Sequence, residues 1–240
     1  MQLGCGFGQI RSVEVPKMLA AAGFNWTFID AEHGCFGIET LFDLCHASTN
    51  AGLSPIVRVA DMQYALVARA LDCGADGVIF PRVESPEMLE RAVSWTKFPP
   101  VGIRGFGLGP QHIEYERAAI PQVLEHMNAN VMVVLQIETE RAVDAREELL
   151  SVPGIDVVLI GPVDLSITLG VPGDFQHPKM VDAMEKIRDS CLKHGVAPGT
   201  QTRTLALAKF WKERGMIFLG SGSETSFLME KATEVVSALK

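Results

Sequence analysis

Asp30, Glu32 and His33 stand together where an apolar run over 26–29 stops, and Gly34 closes the group. An imidazole beside carboxylates is equipment for proton transfer. It gains and loses a proton near neutral pH, and an acid partner fixes its tautomer. A lone histidine is more often satisfied by a loop contact, but the strand before His33 and the acids beside it favour a base. A longer apolar run, 131–137, ends at Glu138, with Gln136 two positions earlier. Strand alternation puts both side chains on one face, which inside a barrel is the centre. Buried there, they need partners. A hard divalent cation suits a carboxylate; a salt bridge inside the barrel is the plainer answer. Asp164 follows Gly161, Pro162 and Val163 after a third run, 157–160, and opens a short helical segment over 165–169. Spacing alone favours a helix N-cap for it, although N–H groups of that turn could also hold a carboxylate or phosphate.

Arg58 lies in the apolar strand 55–59. A guanidinium there is costly unless it meets an anion. It either grips a substrate carboxylate or enolate in bidentate fashion or pairs internally with Asp30 or Glu32. Asp72, at a helix end, either faces the site or is an exposed cap. No lysine ends a strand. Schiff-base aldol chemistry needs a lysine inside the barrel, so the chain argues against it.

These groups must be carried by strand ends. Continuous apolar runs over 3–7, 26–29, 55–59, 77–80, 131–137, 157–160, 196–199 and 216–220 read as strands. Helical spacing follows over 13–22, 38–51, 65–73, 86–95, 142–149, 178–193, 205–214 and 224–239. Eight alternating pairs with buried-type strands predict one parallel (β/α)8 barrel over 1–240 with an additional C-terminal helix. A doubly wound open sheet is the competing topology, and the count of eight favours closure. The active face of such a barrel is the carboxyl end of its strands. The longest irregular stretch, 97–119, is rich in Gly and Pro and reads as functional or interfacial. Glycines 4, 6 and 8 read as tight barrel packing; 221–223 is a weak phosphate signal after the last strand.

Composition narrows the partners. A net charge of −8 argues against nucleic acid and anionic membrane. No apolar run is long enough to span a bilayer, and no signal peptide is visible at the start. Five scattered cysteines without a CxxC point to reduced thiols and a cytoplasmic setting.

The ordered set Asp30-Ala31-Glu32-His33, Val57-Arg58, Leu71-Asp72-Cys73-Gly74-Ala75, Gly102-Ile103-Arg104-Gly105, Gln136-Ile137-Glu138 and Gly161-Pro162-Val163-Asp164-Leu165-Ser166 resembles the HpcH/HpaI aldolases. These are class II, metal-dependent aldolases of the pyruvate type. The resemblance implies cleavage of 4-hydroxy-2-keto acids to pyruvate, or a close 2-keto acid, and an aldehyde. It implies that Glu138 and Asp164 bind Mg²⁺ or Mn²⁺, with Co²⁺ possible. It implies that His33 is the acid/base residue, oriented by Asp30 or Asp72, and that Arg58 holds the oxygen that becomes enolate. Gln136 and the N–H groups of Val163 and Asp164 would bind the keto acid. A homohexamer, a trimer of dimers with the last helix exchanged, is the assembly it implies. Ala31 and Val163 depart from the residues common there and bear on substrate choice. An oxaloacetate-type decarboxylase is the rival enzyme, and a non-catalytic scaffold barrel the rival of another kind. Thr200, Gln201, Thr202 and Arg203, after the seventh strand, should line the mouth and favour short polar aldehydes.

Overall fold

The computed structural model describes residues 1–113 and 115–240. Eight parallel strands close into a barrel in sequence order. They are β1 Gln2–Phe7, β2 Trp26–Asp30, β3 Ser54–Arg58, β4 Gly77–Phe80, β5 Met132–Ile137, β6 Val157–Ile160, β7 Ala197–Thr202 and β8 Phe218–Ser223. The helices are α1 Glu14–Ala21, α2 Ile38–Asn50, α3 Tyr64–Asp72, α4 Pro86–Ser94, α5 Ile120–Asn130, α6 Glu140–Asp144, α7 Arg146–Leu150, α8 Pro162–Thr168, α9 Pro178–His194, α10 Leu205–Glu213 and α11 Glu224–Leu239.

Period-two alternation divides each strand between two cores. Trp26, Phe28, Ile56, Ile79, Val134, Val157, Leu159 and Phe218 fill the barrel interior. Their outward neighbours, such as Ile29, Val57, Val78, Leu135 and Val158, pack under the helices. Glycine on β1 is a steric necessity: a Cβ on Gly4 would lie 2.3 Å from the Trp26 indole. That indole stacks on Phe218 with centroids 4.1 Å apart. The glycine-rich first strand thus makes room for a large ring at the barrel floor.

Several elements differ from the sequence expectation. The expected helix over 142–149 breaks at Ala145 into α6 and α7. Residues 120–130, where the sequence places His126 in a helix without giving its bounds, form α5, whose only buried side chain is Val123. With so little apolar surface to bury, its helical period was faint. The seventh strand runs on to Thr202, beyond the apolar stretch. Its end is polar and held by hydrogen bonds on the face turned away from the barrel centre, Thr200 Oγ1 donating to the Ile160 carbonyl at 3.1 Å and Thr202 Oγ1 to the Gly220 carbonyl at 3.1 Å. Likewise 221–223 belongs to β8 rather than to a loop after it.

Candidate active site

Register decides which ionisable groups meet. Asp30 is paired with Arg58 across β2 and β3, so both side chains leave the inner face at the carboxyl end. Arg58 donates from Nε to Asp30 Oδ1 at 3.0 Å and from Nη2 to Oδ2 at 2.7 Å, a bidentate fork. Its Nη1 lies 3.2 Å from Glu32 Oε2. That pair is close enough for charge attraction but misaligned for a hydrogen bond, so this buried oxygen has no hydrogen-bond partner among the described residues. The internal ion pair, one of the two expectations for Arg58, is therefore present. Burial pushes the Asp30 carboxyl up. The Arg58 bond and charge, with the N–H groups of His33 and Glu32, outweigh it and hold the group below its ordinary value.

Those two N–H groups donate to Asp30 Oδ1 at 3.1 Å each. Asp30 thus shapes the turn from which His33 projects. The His33 side chain is 57% exposed, and its Nε2 lies 3.6 Å from Glu32 Oε1. Asp30 is tied to the backbone N–H of His33, and the carboxylate near the imidazole is that of Glu32. Asp72 is placed elsewhere. It ends α3, accepts from Arg104 Nη2 at 2.8 Å, and is not among the residues lining the cleft with His33.

Gln136 and Glu138 share the inner face as alternation requires, and both are buried. Gln136 Nε2 donates to Glu138 Oε2 at 2.5 Å, and the Arg82 backbone N–H donates to Glu138 Oε1 at 2.8 Å. Arg82 adopts a left-handed conformation, with φ of 55°, and its Nε lies 3.3 Å from Glu32 Oε1. Sequence reading missed Arg82, because no residue type announces a backbone N–H turned to meet a carboxylate. Burial raises the Glu138 carboxyl; the Asp164 charge adds to this, against the Arg82 hydrogen bond and the Arg58 charge. Gln136 Oε1 is buried and has no hydrogen-bond partner among the described residues. A Cβ on Gly161 would lie 2.8 Å from both Gln136 Nε2 and Glu138 Oε2, so glycine there keeps space for this pair.

Asp164 is not a helix N-cap. Gly161 occupies that position, and Asp164 lies in the first turn of α8 without a side-chain cap present. Pro162, Val163 and Asp164 face the same cleft as Asp30, His33, Arg58 and Gln136. A second acid at this mouth escaped sequence reading as a site element. Glu224, buried at the start of α11, accepts through Oε1 from the backbone N–H groups of Gly8, Gln9 and Ile10 at 3.1, 2.7 and 3.1 Å. It fixes the loop after β1 against the end of β8. The cleft has a volume of about 720 Å³.

Among the described residues, no three His, Cys, Asp or Glu side chains form a metal-binding cluster. The oxygen donors nearest that role are two carboxylates and one amide. A buried amide oxygen without a donor, beside a carboxylate that burial and a second acid disfavour as an anion, fits a hard cation better than it fits empty space.

A closed parallel barrel with imidazole, carboxylates and guanidinium gathered at the carboxyl ends of its strands is the frame of a barrel enzyme. Residues 10–230 match the family model for HpcH/HpaI aldolase/citrate lyase, and the chain belongs to that family. It is a carbon–carbon lyase of the aldolase type, acting on small molecules. It is 34% identical over 238 residues to a 4-hydroxy-2-oxo-heptane-1,7-dioate aldolase of Salmonella dublin, covering 99% of this chain and 89% of that protein. The crystal structure of an HpcH/HpaI aldolase from Desulfitobacterium hafniense DCB-2 is similar with a TM-score of 0.95 at 30% identity, covering 100% of this chain and 92% of the other. A family member from Burkholderia cenocepacia J2315 is similar with a TM-score of 0.91 at 31% identity, covering 99% and 94%.

Proposed function

We propose that the chain is a metal-dependent class II aldolase that reversibly cleaves 4-hydroxy-2-keto acids into pyruvate, or a close 2-keto acid, and an aldehyde. The observation that carries this reading is the buried Gln136–Glu138 pair beside Asp164, with its partnerless amide oxygen. Glu138 and Asp164 would hold the cation, and oxygen donors of this kind suit Mg²⁺ or Mn²⁺, with Co²⁺ compatible. When bound, the cation supplies positive charge against the negative charge of an enolate. No lysine lines the cleft among the described residues, which supports metal over Schiff-base chemistry.

The remaining work falls to the chain's own groups. Arg58, fixed by Asp30 in a rigid fork, presents a cation at the barrel centre and would orient the keto oxygen. Gln136 would contact the keto acid beside it. The first N–H groups of α8, at Val163 and Asp164, have no side-chain cap and would receive its carboxylate. His33, exposed into the cleft, would take the proton of the 4-hydroxyl as the C–C bond breaks, and return it to the aldehyde oxygen in the reverse direction. Asp30 positions His33 through the backbone. Asp72, paired with Arg104, has no role in the site of its own barrel in this reading.

We further propose that residues 1–240 act as one domain, since β1 and β8 close the barrel near the two ends of the described chain. The five cysteines are free thiols, four of them buried, which supports a reducing cytoplasm. No helix is long and apolar enough to cross a membrane among the described residues. A homohexamer, a trimer of dimers, is the proposed assembly. It is supported by α11, which exposes Leu228, Met229, Val235, Val236 and Leu239, an apolar row at helical spacing that a second copy could cover.

Pyruvate release from a 4-hydroxy-2-keto acid, measured after EDTA treatment and after restoring Mg²⁺ or Mn²⁺, tests the reading. Activity should vanish and return. Survival of activity in EDTA, or irreversible inactivation by borohydride with pyruvate, would overturn it.

A further inference from the structure

The cleft is far larger than a three-carbon keto acid needs; its volume of about 720 Å³ lies in the range of sites that enclose drug-sized ligands. The keto-acid groups proposed above sit on β3, β5 and the start of α8. The unassigned part of the cleft lies at the ends of β7 and β8. It is lined by Gln201, Thr202, Arg203, Ser223, Thr225 and Ser226, a polar wall.

Arg203 differs from the other arginine and from Glu224 around this cleft. Arg58 is engaged by Asp30 and Glu32. Glu224 is engaged by three backbone N–H groups. Arg203 is exposed, and it makes no ion pair or hydrogen bond among the described residues. Its backbone is held on both sides. Thr202 Oγ1 donates to the Gly220 carbonyl at 3.1 Å, and Thr204 caps α10 by accepting from the Leu207 N–H at 3.3 Å. Gln201 Nε2 donates to the Gly222 carbonyl at 2.9 Å, tying the β7 end to the β8 end. A long side chain on a fixed base thus stands at the mouth without an internal acid to hold it.

We propose that Arg203 is a specificity-determining residue that binds an anionic group at the far end of the aldehyde half of the substrate. This rests on the aldolase reading and names the class of its second substrate. The chain carries a net charge of −8, so its overall field disfavours an approaching anion. A local cation at the mouth reverses that where it matters. Guanidinium geometry suits both carboxylate and phosphate, and hydroxyls of Ser223, Thr225 and Ser226 can serve either.

The test uses the metal-loaded full-length enzyme with pyruvate and three aldehydes of matched length: one ending in a carboxylate, one in a phosphate, one in a hydroxyl. Wild type should favour an anionic aldehyde, and the better of the two identifies the group. Arg203→Gln should lower kcat/KM for that aldehyde by about ten- to hundredfold, mainly through KM, and leave the hydroxyl aldehyde within about twofold. Arg203→Lys should restore part of the loss. Exchange of pyruvate methyl protons with deuterated water, followed by NMR without any aldehyde, reads the enolate chemistry alone and should be equal in all three proteins. Intact exchange with equal losses on all aldehydes, or with no loss on any, overturns the assignment of Arg203. No exchange in wild type overturns the aldolase reading, and the assignment falls with it.

Discussion

His33 depends on its neighbours more than on its own environment. Its ring is exposed and its backbone is pinned by Asp30, so the turn keeps its shape even when the ring is removed. His33→Ala should therefore reduce turnover by about 10²–10⁴-fold, the usual contribution of a general acid/base group. Pyruvate and Mn²⁺ affinity, measured by titration calorimetry, should stay within about threefold of wild type, since His33 contacts neither proposed ligand oxygen. Near-normal turnover would require another group at the mouth to move the proton. Arg58 is a different case. It is buried and forked onto Asp30, so its truncation would leave Asp30 without its cation and Glu32 with Arg82 alone, and would disturb the fold along with the site.

At the scale of elements, the joint between β5 and α8 holds the site open. The last β5 residue, Ile137, is in register with Ile160, and the Gly161 N–H donates to the Ile137 carbonyl at 3.0 Å. Glu138 and Gly161 therefore leave the barrel side by side, and only a missing Cβ leaves space for the Gln136–Glu138 contact. Gly161→Ala should displace that buried pair and weaken Mn²⁺ binding by about 10–100-fold, the range seen when groups supporting a metal ligand are disturbed. Its thermal midpoint should shift by only a few degrees, because the backbone at Gly161 is extended, with φ of −89°, and alanine adopts it freely. Calorimetric titration with Mn²⁺ alongside a melting curve would separate the two effects. Unchanged metal affinity would show that Glu138 is not a ligand.

For the whole molecule, the conspicuous surface is α11. Of its 16 residues only Glu224 is buried. An isolated amphipathic helix with so little packing is weakly held by its own barrel. In the proposed assembly another copy would cover its apolar row. If α11 carries the proposed hexamer contact, the double substitution Leu228→Lys and Val235→Lys should give a smaller particle than wild type in light scattering coupled to gel filtration. The circular dichroism of the barrel should be retained, since neither side chain packs on it. A particle of unchanged mass would assign the assembly to another face.

The sequence by itself determined the eight strands and most of the helices, because buried parallel strands need continuous apolar runs and amphipathic helices need a 3.6-residue period. It also determined that Gln136 and Glu138 share a face, since that follows from a two-residue period alone. It left α5 without bounds, where little apolar surface is buried, and the polar ends of β7 and β8 unassigned, where hydrogen bonds replace hydrophobicity. Tertiary structure alone decided the partners. Asp30 meets Arg58 because of a register between strands 28 residues apart. Asp72 meets Arg104 and leaves the cleft because α3 ends away from its mouth. Arg82 reaches Glu138 through a backbone N–H whose direction is set by one left-handed residue. Periodicity is local and is written in residue types; pairing between distant strands depends on closure of the barrel, which fixes every register together.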